Sequence, residues 1–379
     1  MKKRVWTFLF LLPVVLSAVV FASCGGRSGS GEVQNDSVEF RYARLIHVYR
    51  HDGWLLALVD NPWKKGEVLH RYVIVPKTGK VPRNISGATV VRTPLQRSVV
   101  FTSVHCGLLD ALGKLDAVKG ICDFRYVMSG KVKKYVENGG ARDVGSSVQP
   151  DIEKIIAENP DGVLVSPFSG GGGYDKLKIA GLPLIECADY MEKSPLARAE
   201  WMRFYGLLYG CESVADSLFA VVEGNYKDLC GKAAITSSRP SLMCDLLQGN
   251  VWYVPGGEST VGRIFKDAGA NYLFGDNSES GSIAMSPEQV LTKARNADFW
   301  VVRSGSNDDL TYDGLRKENA MYAAFKPWKE KKIFACNTFK LPYFDEEPFR
   351  PDFMLRDLVM ILHPELGISQ PPRYFSPIK

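Results

Sequence analysis

Residues 212–233, ESVADSLFAVVEGNYKDLCGKA, decide the fold. Val214, Leu218, Val221, Val222 and Leu229 recur near helical spacing, and only Gly224 interrupts the run, so the stretch predicts one long helix of about six turns. Ser237-Ser238-Arg239-Pro240 breaks the chain behind it. On either side, short apolar strands alternate with amphipathic helices. Upstream, strands are expected at 98–102, 119–122, 162–165 and 184–187. Helices are expected at 105–113, at 152–159 with Ile152, Ile155 and Ile156 inward, and from about 195 to 209. Downstream, a second series begins at Leu242, with strands at 298–303 and 332–337 and a closing helix at 353–362. Such alternation implies parallel sheets with helices on both faces. The expected fold class is therefore α/β, two lobes joined by one long helix.

Before Arg92 the pattern differs. Runs of β-type composition at 41–49, 54–59 and 68–75 are separated by His51-Asp52-Gly53 and by Asn61-Pro62 with Lys64-Lys65-Gly66, which are turn signals. This reads as a small antiparallel β element added to the first lobe. The expected segments are a β element at 38–92, a first lobe at 93–211, the linking helix at 212–233 and a second lobe at 234–379. In front of them lie a signal peptide at 1–23 and a tether at 24–37.

Lys2, Lys3 and Arg4 precede an apolar run at 5–21, and small Ala22 and Ser23 precede Cys24. Charge, apolar length and small residues together read as an export signal. The cysteine after the small pair resembles the bacterial lipobox, which makes Cys24 the expected site of lipidation. GGRSGSGE behind it is a flexible polar tether. The apolar run is slightly short of the roughly 20 residues that span a bilayer and contains Pro13, so an uncleaved anchor is the weaker alternative. The expected location is periplasmic, anchored by lipid to a bacterial membrane.

Composition excludes several classes. The chain has 379 residues and a formal net charge of +5; three of those charges belong to the signal, so the mature body is near +2. No basic stripe stands out, and a nucleic-acid partner is not expected. Seven cysteines follow Cys24 without any C-x-x-C, a pattern of small buried hydrophobes rather than a zinc site or disulfide framework. His47 and His51 are four apart but in a strand and turn, so no bound metal or cofactor is expected. With no G-x-S-x-G and no H-E-x-x-H, an enzyme is not expected either.

Four phrases carry a family resemblance: RSVVFTSVHCGLLDALGKLDAVKGICD (97–123), VQPDIEKIIAENPDGVLVSP (148–167), SPLARAEWMRFYGLLYG (194–210) and MSPEQVLTKARNADFWVV (285–302). Their order and spacing, over roughly 92–364, resemble the substrate-binding proteins of bacterial ABC importers for ferric siderophores, haem and cobalamin. The resemblance implies two Rossmann-like lobes bridged by a rigid helix, with the ligand between them. It also implies an ABC permease with its ATPase as partner, a metal-chelate small molecule as ligand and a monomer.

In open parallel sheets ligands bind beyond the carboxyl ends of the strands. That rule nominates Ser103, His105, Ser166, Phe168, Ser169, Gly170 and Tyr190 on the first lobe, and Gln248, Trp252, Tyr253, Gly257 and Arg303 on the second. Gly170 belongs to a four-glycine loop whose backbone can approach a ligand closely. Trp252 and Tyr253 offer flat apolar faces, and Arg303 can pair with ligand oxygens. His105 reads more readily as a core or helix-start residue than as a metal ligand.

Glu153 and Glu288 each fall in the first turn of a helix, one per lobe, where acids suit the helix dipole. Ser286-Pro287-Glu288-Gln289 has the pattern of a capping box. The resemblance adds that one such acid per lobe docks with permease arginines. The expected function is thus capture of a ferric siderophore or cobalamin, with haem behind, and delivery to an inner-membrane permease. An exported α/β enzyme and a surface lipoprotein receptor for a similar ligand are the alternatives.

Overall fold

The bridging helix spans Glu212–Ala234 in the computed structural model, which describes residues 36–83, 85–169 and 174–379. Its buried stripe is Ala215, Phe219, Val222, Tyr226, Leu229 and Ala233, steps of four and three that keep one face inward at 3.6 residues per turn. Val214 and Val221, expected to face inward, are 46% and 54% exposed. Small Ala215 and Ala233 hold the close-packed positions instead.

Ahead of this helix lies a five-stranded parallel sheet in the order Leu184–Glu186, Gly162–Val165, Ser98–Val100, Val118–Ile121, Arg142–Asp143. Behind it a second sheet runs Asn271–Tyr272, Ser241–Cys244, Phe299–Ser304, Ile333–Asn337, with Ser376–Pro377 closing one edge antiparallel. A small antiparallel sheet of Leu247–Gln248, Val251–Pro255 and Ser282–Met285 lies beside it in sequence. The chain is α/β with parallel sheets, as its strand–helix alternation requires.

Local departures have plain causes. The helix expected at 195–209 is two, Pro195–Glu200 and Met202–Tyr209, meeting at Trp201. The helix at Ile152–Ala157 starts on Asp151, whose carboxylate accepts the Lys154 N–H, and its Ile156 points outward at 48% exposure. The capping box at Ser286 and Gln289 is present.

The N-terminal element is larger than three runs suggest. Asp36–Val38, Ile46–His51, Trp54–Asp60, Val68–Pro76 and Thr89–Thr93 form a five-stranded sheet. It is antiparallel except for the last strand, which pairs parallel to Val68–Pro76. Ile46, Val48, Ala57, Val59, Tyr72 and Ile74 belong to the same apolar core as the bridging helix. Two buried carboxylates fix the 41–45 loop to the first lobe. Glu200, fully buried, accepts the backbone N–H groups of Arg41, Tyr42 and Ala43 at 2.7–2.8 Å. Glu192 accepts those of Arg44 and Leu45 and the Trp201 indole N–H, each at 2.9 Å. Buried backbone donors need partners, and here side chains from a distant segment supply them. No helix among the described residues is long and apolar enough to cross a membrane.

Candidate functional site between the sheets

The carboxyl ends of strands from both parallel sheets converge on one cavity of about 350 Å³. Phe101, Thr102 and Ser103 follow the Ser98–Val100 strand, Asp123, Tyr126 and Met128 follow Val118–Ile121, and Thr338, Phe339 and Phe344 follow Ile333–Asn337. Three rim aromatics are open to solvent: Tyr126 is 51%, Phe339 50% and Phe344 53% exposed. Grouped around one cavity, these rings make it a candidate binding site. Among the described residues, Asp123 is the single charged one of the lining. It sits at φ 54° and accepts both the backbone N–H and the hydroxyl of Ser147. A non-glycine residue in the left-handed region costs strain, which is stored preferentially where function needs it.

A second, polar cavity of about 210 Å³ shares Thr102 with the first and reaches His105, Ser166, Asp189, Tyr190 and Arg198. Asp189 accepts the Tyr205 hydroxyl at 3.2 Å and Arg198 Nε at 3.3 Å. Burial opposes its charge, but neighbouring His105 and the Arg198 guanidinium hold its carboxyl below the usual range. His105 is 2% exposed, with Nδ1 3.0 Å from the Thr102 hydroxyl and Nε2 3.0 Å from the Tyr205 hydroxyl. It is a fully partnered core residue that touches this cavity rather than an open metal ligand.

The sequence-predicted residues divide. Ser103 lines the aromatic cavity, and His105, Ser166 and Tyr190 line the polar one. Phe168, Ser169, Gln248 and Tyr253 are exposed but line neither cavity. Trp252 is wholly buried; its indole N–H donates to Cys244 O at 3.0 Å and its ring packs on Trp300, Tyr322 and Phe325. No face of it is left for a ligand. Arg303 is held by the Asp245 carboxylate through Nε and Nη2, so its charge is already matched inside the second lobe. Gly257 owes its identity to packing, since a Cβ there would lie 2.0 Å from the Gly275 carbonyl oxygen. Cys24 and Gly170 lie outside the described residues.

Asp123, Tyr126, Met128, Phe339 and Phe344 are not among the sequence-predicted residues. Applying the strand-end rule to the second and last strands of the parallel series, as well as to the first, selects these loops. The remaining cysteines are unpaired, six of them buried, and burial raises the thiols of Cys106 and Cys187 well above the ordinary range. Among the described residues no group of histidine, cysteine or acidic side chains has metal-site geometry. A groove of about 430 Å³ lined by the bridging helix and the Pro351–Leu362 helix involves helix faces, not strand ends.

Glu153 and Glu288 occupy first turns as expected. The Ser286 hydroxyl and the backbone at the helix start hold the Glu288 carboxyl below its usual range.

Residues 99–338 match the family described as periplasmic binding protein. An uncharacterized lipoprotein of Methanocaldococcus jannaschii is 30% identical over 344 residues, covering 87% of this chain and 80% of that protein. The molybdate periplasmic binding protein MolA of Haemophilus influenzae, solved with molybdate, superposes with a TM-score of 0.60 at 14% identity, over 74% of this chain and 90% of its own. The periplasmic vitamin B12 binding protein of Vibrio cholerae superposes with a TM-score of 0.53 at 16% identity, over 73% of this chain and 99% of its own. At these identities the two structures establish the fold.

Proposed function

The chain belongs to the periplasmic binding protein family, and from that premise we propose that it is the lipid-anchored solute-binding component of an ABC importer for a metal chelate. The chelate is enclosed between the two α/β lobes and passed, without chemical change, to an inner-membrane permease. The aromatic cavity at the facing strand ends carries this reading. Its rings and Met128 present flat, polarisable surface to a rigid ligand, while Thr102, Ser103 and Thr338 supply hydroxyls to orient it.

The lining also selects by charge. Among the described residues Asp123 is its one charged residue, with no lysine or arginine to meet ligand oxygens. A polyanion such as a tris-catecholate chelate or molybdate would face an unpaired carboxylate, which costs affinity. A neutral or cationic chelate, a corrinoid or a ferric hydroxamate, suits the cavity better. Cys24 takes the lipid in this reading, and Glu153 and Glu288 meet the permease.

Calorimetric titration of the mature chain with cobalamin, cobinamide, haem, a ferric hydroxamate and a ferric catecholate tests the assignment. One neutral or cationic compound should bind one-to-one, and Phe339→Ala should weaken it about tenfold or more, as truncation of a central aromatic anchor does. Preference for the catecholate, or a Phe339→Ala variant that binds unchanged, would overturn the charge-selective reading.

A further inference from the structure

The added N-terminal sheet is also an electrostatic module. Residues 36–93 contain ten Lys and Arg against five Asp and Glu, a net charge of +5, whereas residues 94–379 carry −3. Segregation on this scale sets the direction in which a protein approaches a charged surface. Where the module meets the lobes there is a pocket of about 350 Å³ whose lining includes Arg41, Arg44, Lys193 and Arg263. Arg41 is paired with Glu223 and Arg263 with Glu258. Arg44 and Lys193 have no acidic partner among the described residues, and both are exposed. Arg263 Nε is buried without an acceptor. The carboxylate in the lining, Glu192, accepts two backbone N–H groups and the Trp201 indole N–H, all through Oε1; with its one charge set against Arg44 and Lys193, the lining stays net positive. The unpaired cations Arg44 and Lys193 outnumber the single carboxylate of the lining, which suits an oxyanion, and guanidinium groups match phosphate best.

We propose that this pocket binds a phosphate group, and that the phosphate it takes is that of an anionic lipid headgroup. Cys24 and Asp36 are twelve residues apart, a span of at most about 40 Å when fully extended. A lipid on Cys24 therefore keeps the basic module near the headgroups. Seating one of them at Arg44 and Lys193 gives the lipid-held protein a fixed orientation. The phosphate site stands on the pocket alone; the bilayer half rests on lipidation at Cys24.

The test uses the mature chain with Cys24→Ser, so that no lipid contributes, and two probes: inorganic phosphate by calorimetry, and sedimentation with phosphatidylcholine vesicles with or without phosphatidylglycerol. The expected result is binding to the phosphatidylglycerol vesicles only, competed by phosphate and weakened by salt. Arg44→Glu/Lys193→Glu, at two exposed positions, should lower it about twentyfold or more, with affinity for the cleft ligand unchanged. Phosphate binding without vesicle binding would keep the phosphate site and overturn the headgroup. Vesicle binding indifferent to the charge reversal, or silence of both probes, would overturn the proposal. Intact mass of the full chain extracted from membranes reports separately on Cys24.

Discussion

Gly107 and Asp345 meet so closely across the two lobes that a Cβ on Gly107 would lie 2.0 Å from the Asp345 carbonyl oxygen. The Asp345 carboxylate reinforces the contact, accepting the backbone N–H groups of Met128 and Ser129 at 2.8 Å each. The short Tyr343–Glu346 helix is thereby latched onto the Ser103–Ala111 helix beside the aromatic cavity. Gly107→Ala must push the two helices apart. Overpacking of this kind costs about 1–3 kcal/mol, outweighing the ~1 kcal/mol that alanine adds to helix propensity. The expected outcome is a lower Tm and a larger radius of gyration by small-angle scattering. An unchanged Tm would show that the latch yields freely.

Glu200 ties the N-terminal sheet to the lobes. Glu200→Ala leaves the N–H groups of Arg41, Tyr42 and Ala43 without their acceptor. The buried Ala43 N–H alone should cost about 1–3 kcal/mol in denaturant unfolding when orphaned, with smaller additions from the more exposed Arg41 and Tyr42. Glu200→Gln keeps one carbonyl oxygen and should lose less. Equal unfolding midpoints for the two variants would contradict this role.

Asp298 gives stability a defined pH dependence. Burial opposes its ionisation, but Lys326 and the Ser241 hydroxyl and N–H overcome it and hold the carboxyl at about 2, below the ordinary 3.8. A depressed folded-state pKa contributes stability that is present above the unfolded value and lost as pH falls through the folded one. The Tm advantage of the wild type over Asp298→Asn should therefore be full above pH 3.8 and shrink between there and about pH 2. Partial exposure of the pair keeps the effect modest. A gap independent of pH would exclude the ion pair as its source.

Periodicity made the parallel sheets and the bridging helix legible, because strand–helix alternation leaves few arrangements that bury every apolar face. The inward face of that helix is less legible, because alanine carries little hydropathy signal while close packing favours small residues such as Ala215 and Ala233. Trp252 reads as a ligand platform in sequence, because a tryptophan near a strand end looks the same there whether it caps a cleft or fills a core. Burial by Trp300 and Tyr322 decides that, and these contacts are nonlocal. The aromatic cavity was missed for a related reason. Tyr126 and Phe339 are 213 residues apart, and only the topology of two sheets brings them to one lining.

Glu153 and Glu288 provide the test that separates capture from delivery. Both stand in first turns, one beside each parallel sheet, and neither lines the aromatic cavity. Their helices are capped without them, by Asp151 and by Ser286 with Gln289, so charge reversal leaves the caps in place. If the two acids meet permease arginines, Glu153→Lys with Glu288→Lys replaces attraction by like-charge repulsion at both contacts. Ligand affinity measured by calorimetry should then match the wild type, while uptake of labelled ligand in cells bearing the importer should fall about tenfold or more. Compensating Arg→Glu changes on the permease should restore part of the uptake, which a merely structural role for the acids could not produce. Uptake unaffected by the double variant would place the docking surface elsewhere.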